Sequence, residues 1–327
     1  MIGSGDHDRR AFFQALAGIG LTGLLSGGNA RAGRGAQGVQ LGVGASLGGK
    51  RVFPPDNPWN EDISQKPVDP NSDTLIQSIG ALTSLHPDFG RAPRNGKLGI
   101  PYVVVPGNQP KVPVQFEYKD ESDRGPYPIP PDAPIEGGAS SDSDRHVLVI
   151  DRDNWKLYEL FMAKPEGKGW SAVSGAVFNL NTNRLRTMGW TSADAAGLPV
   201  FPGLVRADEV FERQVIPHAL LFTCKRSRRA YVFPARHFAS KNTDESLPPM
   251  GMRVRLKAGY SLKGFSPEAR VILTALKKYG MFLADNGSDW YLSGAPDPRW
   301  NDASLNQLKN VRGGDFEVVQ MEKIITR

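Results

Sequence analysis

The chain has 327 residues, of which 39% are hydrophobic and 9% aromatic, so its composition excludes a disordered protein and allows a substantial core. The 36 glycines and 26 prolines favour many short elements joined by turns over long helices. A single cysteine excludes an internal disulfide and a cysteine-based metal cluster, and a formal charge of +6 suits an anionic partner.

The first 32 residues have the pattern of a targeting segment. Arg9-Arg10 precedes the apolar pair Phe12-Phe13, a weakly apolar run follows from Ala15 to Leu25, and Ala30-Arg31-Ala32 fits a signal peptidase site. This order resembles a twin-arginine signal peptide. The resemblance implies export of a folded protein by the twin-arginine machinery, to the periplasm or outside a bacterial cell. The apolar run is too short and too rich in glycine for a stable membrane span.

Residues 33–50 are glycine-rich and predict a flexible lead-in, followed by a single β-rich domain over 51–327. Short helices are predicted after Pro70, after the Ser266-Pro267 capping pair, and over 302–311. Strands are predicted over 101–105, with 112–118 as its partner strand, over 146–150, 155–162, within 170–180, and over 218–224, 230–234, 252–258, 281–284, 290–292 and 316–319.

This order of elements predicts a mainly β fold. The segments 146–150 and 155–162, joined by the turn at 151–154, have the pattern of an antiparallel hairpin. We expect an antiparallel β-sandwich or an irregular β-barrel with a few short peripheral helices. A long proline-rich loop over 120–143 is expected at the surface.

Two stretches resemble uncharacterised secreted bacterial proteins. They are Gly189-Trp190-Thr191-Ser192-Ala193-Asp194 and Tyr279-Gly280-Met281-Phe282-Leu283-Ala284-Asp285-Asn286-Gly287. The resemblance extends over most of residues 50–320. No activity is assigned to those proteins, so the resemblance implies no function.

The loop over 189–210 is stiff and rich in reactive side chains, which is typical of a functional site. Hydrolysis of a glycosidic bond needs two carboxyl groups across a cleft. Asp194 with Asp208 or Glu209 is the expected acid/base pair, and Asp285 is a further carboxylate on a loop. Trp190 and Trp290 are expected to be platforms for sugar rings.

Two alternatives stay open. A lyase on uronate-containing glycans needs a cation and a base, for which Arg206 and His218 are candidates. His146 and His237 can join them or bind a metal as neutral imidazoles. The other alternative is a non-catalytic protein that binds a glycan or stabilises the cell envelope. Motifs for cofactors, phosphate and metals are lacking in the sequence, so no cofactor or metal is expected.

The expected partner is therefore a polysaccharide or oligosaccharide. Nucleic acid is not expected, because the positive charges form no long stripe and the one dense run, over 225–229, has the pattern of a solvated hairpin turn.

Overall fold

Strands carry most of the regular structure in this computed structural model, which describes residues 38–91 and 98–326. The strands are β1 (Gly42–Val43), β2 (His86–Asp88), β3 (Tyr102–Val105), β4 (Val114–Phe116), β5 (Val147–Asp151), β6 (Lys156–Phe161), β7 (Lys164–Glu166), β8 (Gly169–Ala172), β9 (Ser174–Asn179), β10 (Leu220–Cys224), β11 (Arg253–Leu256), β12 (Met281–Asn286), β13 (Tyr291–Ser293) and β14 (Phe316–Val318). The α-helices are α1 (Ser72–Ile79), α2 (Pro267–Lys278) and α3 (Asp302–Asn306). Short 3₁₀ turns and one π-helical turn, Asp208–Arg213, complete the set.

The strands form three open sheets. A five-stranded sheet has the order β1-β3-β5-β6-β9, a six-stranded sheet β14-β11-β12-β10-β13-β2, and a three-stranded sheet β4-β8-β7. Each sheet contains at least one parallel pair, namely β3 with β5, β10 with β12, β13 with β2, and β4 with β8. The mainly β prediction is confirmed, whereas the antiparallel arrangement is wrong and none of these sheets closes into a barrel. The connection from β3 to β5 spans more than 40 residues (106–146), which is long enough for a parallel crossover.

The five-stranded sheet is buried on both faces. Along β3, Tyr102 and Val104 belong to the larger apolar core, which also includes Phe222 and Leu283 of the six-stranded sheet. Val103 and Val105 belong to a second core shared with the three-stranded sheet. A strand buried on both faces has no polar alternation, which explains the unbroken apolar run Tyr102–Val105.

Several local predictions are confirmed. β5 pairs antiparallel with β6 from Val147↔Leu160 to Asp151↔Lys156. The Asp151 carboxylate accepts hydrogen bonds from the amides of Asp153 and Asn154 and so closes the turn. α2 begins after Ser266, whose hydroxyl accepts a hydrogen bond from the Ala269 amide.

Three predictions about the local structure are corrected. The segment 112–118 does not pair with 101–105, because its strand β4 pairs parallel with β8 instead. The segment 230–234 makes only isolated bridges, through Tyr231. In the expected lead-in, β1 pairs with β3 and Leu47 is buried, since its loop packs against Asp208.

The described residues belong to one compact unit, Ala36–Arg327. The predicted targeting segment, residues 1–32, lies outside the described residues. No helix among the described residues is long and apolar enough to cross a membrane.

Candidate active site

The loop between β9 and β10 is fastened to the five-stranded sheet by a buried carboxylate. Glu159 lies in the middle of β6 and is 0% exposed. Its oxygens accept hydrogen bonds from the amides of Val200 and Phe201 at 2.8–3.0 Å. Burial outweighs these donors and raises the pKa of Glu159 to about 7. Glu159 thereby fixes the position of the loop that carries Asp194.

Within this loop, Ser192 holds a tight turn around Asp194. The Ser192 hydroxyl accepts from the Asp194 amide at 2.9 Å and lies within hydrogen-bond distance of the carbonyls of Asp194 and Leu198. Gly197 has φ +69°, and a Cβ there would lie 2.5 Å from the Trp190 carbonyl oxygen. These local contacts make the loop compact without regular structure.

A cavity of about 400 Å³ opens where this loop meets the end of β12. Its wall combines buried and exposed residues from six segments of the chain. The lining residues are Tyr118, Glu121, Phe161, Ser174, Thr191, Ser192, Ala193, Asp194, Ala195, His237, Ala239, Asp285 and Asn286. The cavity therefore has room for a sugar ring and carries carboxyl groups on its wall.

Asp194 is the more deeply enclosed of two neighbouring aspartates. It is 6% exposed, and one carboxylate oxygen accepts a hydrogen bond from the Ala196 amide at 3.2 Å. Burial raises the pKa of Asp194 well above its usual range, and the negative charge of Asp285 raises it further. Asp194 therefore keeps its proton to a higher pH than an ordinary aspartate does.

Asp285, at the end of β12, is half-buried and better supplied with donors. It accepts hydrogen bonds from the amides of Ala195 at 3.1 Å and Asn286 at 2.6 Å. Burial raises the pKa of Asp285 to about 6, while these amides favour the anion. Asp194 and Asp285 therefore titrate as a pair in which Asp194 keeps the proton longer.

His146 is a buried cation behind the Asp194 wall. Its Nδ1 lies 2.6 Å from a Glu136 carboxylate oxygen, and its Nε2 lies 2.8 Å from the Ala193 carbonyl oxygen. A carbonyl only accepts, and a carboxylate also accepts, so both ring nitrogens carry hydrogen. Burial opposes the charge, but the Glu136 carboxylate outweighs it and raises the pKa of His146 to about 10.

This protonation state bears on a possible metal site. Ligand atoms of Glu136, Asp144 and His146 lie within 4.8 Å of one another, a spacing that suits a cation. However, Nδ1 of His146 is held by Glu136 and Nε2 by the Ala193 carbonyl, so the ring could bind a metal only if one of these contacts broke. His146 acts here as the charge partner of Glu136.

The predicted partners of Asp194 lie elsewhere. Glu209 accepts from Arg206 Nη2 at 2.6 Å and lies 3.0 Å from His218 Nε2, and all three side chains are buried. Asp208 accepts from the Ser46 hydroxyl and the Leu47 amide.

A crevice of about 10 Å³ is lined by Arg206, Asp208, Glu209 and His218. None of these four residues lines the 400 Å³ cavity. The pairing of Asp194 with Asp208 or Glu209 is therefore corrected, because Asp208 and Glu209 serve a separate internal network. Arg206 and His218, the lyase candidates, are held in the same network.

The two tryptophans also differ from expectation. Trp290 is 0% exposed and lies stacked between Phe222 and Phe316, with its Nε1 donating to the Gly80 carbonyl. Its prediction as a sugar platform is wrong, because no face of the indole is accessible. Trp190 is half-buried with the Arg186 guanidinium 5.6 Å from its ring, and it does not line the cavity.

Sequence patterns missed three contributors to this site. Glu159 could have been found, because it is a charged residue inside the otherwise apolar part of β6. Tyr118 and Glu121 lie in a polar stretch that gives no indication of where it packs. Neither a protein family nor a curated protein nor a solved structure matches this chain.

Proposed function

We propose that the protein is a glycoside hydrolase that uses Asp194 and Asp285 as its paired carboxyl groups. The observation that supports this proposal is that two carboxyl groups of unequal proton affinity line one cavity of about 400 Å³. Glycosidic hydrolysis needs one protonated and one ionised carboxyl group at the same time. A coupled pair supplies both forms over a range of pH.

The roles follow from the environments of the two groups. Asp194 retains its proton longer and donates it to the oxygen of the leaving sugar. Asp285 is stabilised as an anion by two backbone amides, and it either attacks the sugar carbon or activates a water molecule. His146 supports the Asp194 wall through the Ala193 carbonyl.

We also propose that the protein works in the periplasm or outside the cell. This rests on the twin-arginine pattern at Arg9-Arg10 and on the following cleavage pattern. Replacement of both arginines by lysine should leave the protein in the cytoplasm, as measured by cell fractionation. We further propose that the five- and six-stranded sheets face one another as a sandwich, with the cavity at one end of their shared core.

The test is a screen of the purified protein on neutral and acidic glycans, with two readouts, new reducing ends and absorbance of unsaturated uronates. Reducing ends alone support the hydrolase, and both signals together indicate a lyase. Neither signal, combined with retention on a glycan column, indicates a binding protein.

Matched variants locate the activity. Asp194→Asn and Asp285→Asn should each lower kcat about 100-fold or more, since they remove a group that transfers a proton or attacks the sugar. Asp56→Asn removes an exposed carboxylate outside the cavity and should leave kcat unchanged. Full activity in Asp194→Asn would contradict the assigned site.

A further inference from the structure

A basic turn touches the wall of the cavity. We use "basic turn" for Lys225-Arg226-Ser227-Arg228-Arg229, which follows β10. The Ser227 hydroxyl donates to Asn286 Oδ1 at 2.8 Å, and Asn286 Nδ2 donates to the Ala239 carbonyl at 3.4 Å. Both Asn286 and Ala239 line the cavity. The turn is therefore continuous with the rim of the candidate site.

A stack of planar groups makes a second connection. The Arg229 guanidinium lies 5.3 Å from the ring of Phe238. Phe238 in turn stacks on His237, with ring centres 5.1 Å apart and an angle of 11° between the planes. His237 lines the cavity and its Nδ1 lies 3.0 Å from the Ala195 carbonyl. The position of Arg229 is thus tied to the residue that follows Asp194.

The charges of the turn are available to a ligand. Lys225, Arg226 and Arg229 are exposed. Lys225 Nζ lies 3.5 Å from the half-buried Asp289, while the Lys225 side chain is itself 69% exposed, so the pair leaves most of the ammonium in contact with water. The Arg226 guanidinium makes no hydrogen bond or ion pair with any described residue. Its charge acts at longer range on Asp244, whose pKa is lowered by hydrogen bonds with Ser246 and further by the charges of Arg226 and Arg228. Exposed arginine charge that is not held in a close ion pair, next to a cavity, attracts an anionic group.

The wall of the cavity, in contrast to the basic turn, is acidic. Glu121, Asp194 and Asp285 line it, and among the described residues its lining includes no lysine or arginine. A sugar carboxylate placed beside Asp285 would be repelled, whereas an uncharged sugar would not. A substrate that fits both the cavity and the basic turn therefore has uncharged and anionic sugars in one chain.

We propose that the substrate is a mixed polysaccharide whose uncharged sugar enters the cavity while an anionic sugar binds on the basic turn. This inference rests on the proposed function for the identity of the cavity as the cleavage site. It adds the class of substrate and a binding site for its acidic units.

The test measures binding without requiring hydrolysis. The Asp194→Asn variant is run by affinity electrophoresis in gels that contain hyaluronan, in which uncharged and acidic sugars alternate. Adding Arg226→Ala and Arg229→Ala should weaken binding roughly fivefold or more, as loss of two charge contacts implies. The control pair Arg184→Ala and Arg270→Ala removes the same charge from exposed positions outside the cavity and should change binding little. Equal losses in both pairs, or no retardation by hyaluronan, would overturn the proposal.

A second comparison tests the uncharged sugar. Polygalacturonate has a carboxylate on every unit, yet it should bind Asp194→Asn more weakly than hyaluronan does, because Asp285 repels the unit in the cavity. Tighter binding of polygalacturonate would contradict this part of the proposal. If hyaluronan binding depends on the basic turn but no glycan is hydrolysed, the anionic binding site is supported and the hydrolase proposal is refuted. Hydrolysis of hyaluronan with an unchanged KM in the Arg226→Ala, Arg229→Ala variant would support the hydrolase and refute the anionic site.

Discussion

The carboxylate of Asp285 accepts a hydrogen bond of 3.1 Å from the backbone amide of Ala195, a residue 90 positions earlier in the chain. This contact joins the end of β12 to the loop that follows β9. It places Asp285 beside Asp194, which precedes Ala195. The candidate site exists because of this long-range contact, and the predictions below follow from the arrangement around it.

The activity should have a bell-shaped pH profile. Asp285 must be ionised, and its pKa of about 6 places the rising limb near that pH. Asp194 must be protonated, so activity should fall at higher pH when this group loses its proton. The measurement is kcat/KM against pH on the best glycan from the screen. A flat profile from about pH 5 to 7 would contradict the role of Asp285.

His146 should remain doubly protonated in neutral solution. Its pKa of about 10 predicts imidazolium nitrogen shifts in ¹⁵N NMR spectra up to about pH 9. His86 is an internal reference, because burial and the nearby Lys309 hold its pKa below the usual range. A neutral His146 ring at about pH 8 would contradict the assigned hydrogen bonds.

Removal of the His146 charge should also destabilise the folded protein. A raised pKa in the folded state means that stabilisation is fully present below about pH 6.5 and is lost as pH rises through about 10. His146→Gln leaves the half-buried Glu136 without its cation, so the free energy of unfolding at pH 7 should fall by about 3–5 kcal/mol. His237→Gln, a partly buried control, should have a smaller effect. Chemical denaturation measures both.

Glu159 should make the protein less stable as pH rises. Its folded pKa of about 7 exceeds the ordinary value of 4.5, so the folded state binds a proton that the unfolded state releases between these values. Stabilisation is therefore present below about pH 4.5 and is lost on the way to about pH 7, by on the order of 2–3 kcal/mol.

The Glu159→Gln variant isolates this contribution. It should lose this part of the pH dependence, whereas the exposed control Glu117→Gln should retain it. Denaturant unfolding at several pH values distinguishes the two. Equal slopes for the Glu159→Gln variant and the unaltered protein would contradict the assignment.

Glu209 should matter for stability and not for catalysis. Burial opposes its charge, but Arg206 and His218 outweigh it and hold the pKa of Glu209 below its usual range. This stabilisation is present above about pH 4.5 and is lost as pH falls below it. Glu209→Gln should cost about 3–5 kcal/mol at pH 7, because Arg206 stays buried without its partner. A change in the pH profile of kcat/KM would instead indicate that the network reaches the cavity.

Trp290 should behave as a core residue. Trp290→Phe removes ring volume between Phe222 and Phe316 and the hydrogen bond to Gly80, so the free energy of unfolding should fall by about 1–3 kcal/mol. KM for the glycan should not change, because the indole is 0% exposed. A rise in KM without a loss of stability would support the original platform prediction.

Much of the local structure could be predicted from the sequence. The Ser266-Pro267 start of α2 and the β5–β6 hairpin depend on neighbours within a few residues, and both are confirmed. Asp194 and Asp285 were identifiable as candidates, because each is a carboxylate in a turn-rich stretch. The charge of Glu159 within an apolar strand is a further signal that the sequence carries.

The sequence by itself determined that this protein is mainly β, where the β5–β6 hairpin and α2 begin, and which loop carries Asp194. Only the tertiary structure decided that Asp194 shares a cavity with Asp285, that Glu209 contacts Arg206 and His218 away from that cavity, and that Trp290 lies in the core. The physical reason is that side-chain periodicity reports which faces are buried, whereas the choice of strand neighbours depends on packing between distant segments. That choice places β10 beside β12 and brings the end of β12 to the loop after β9.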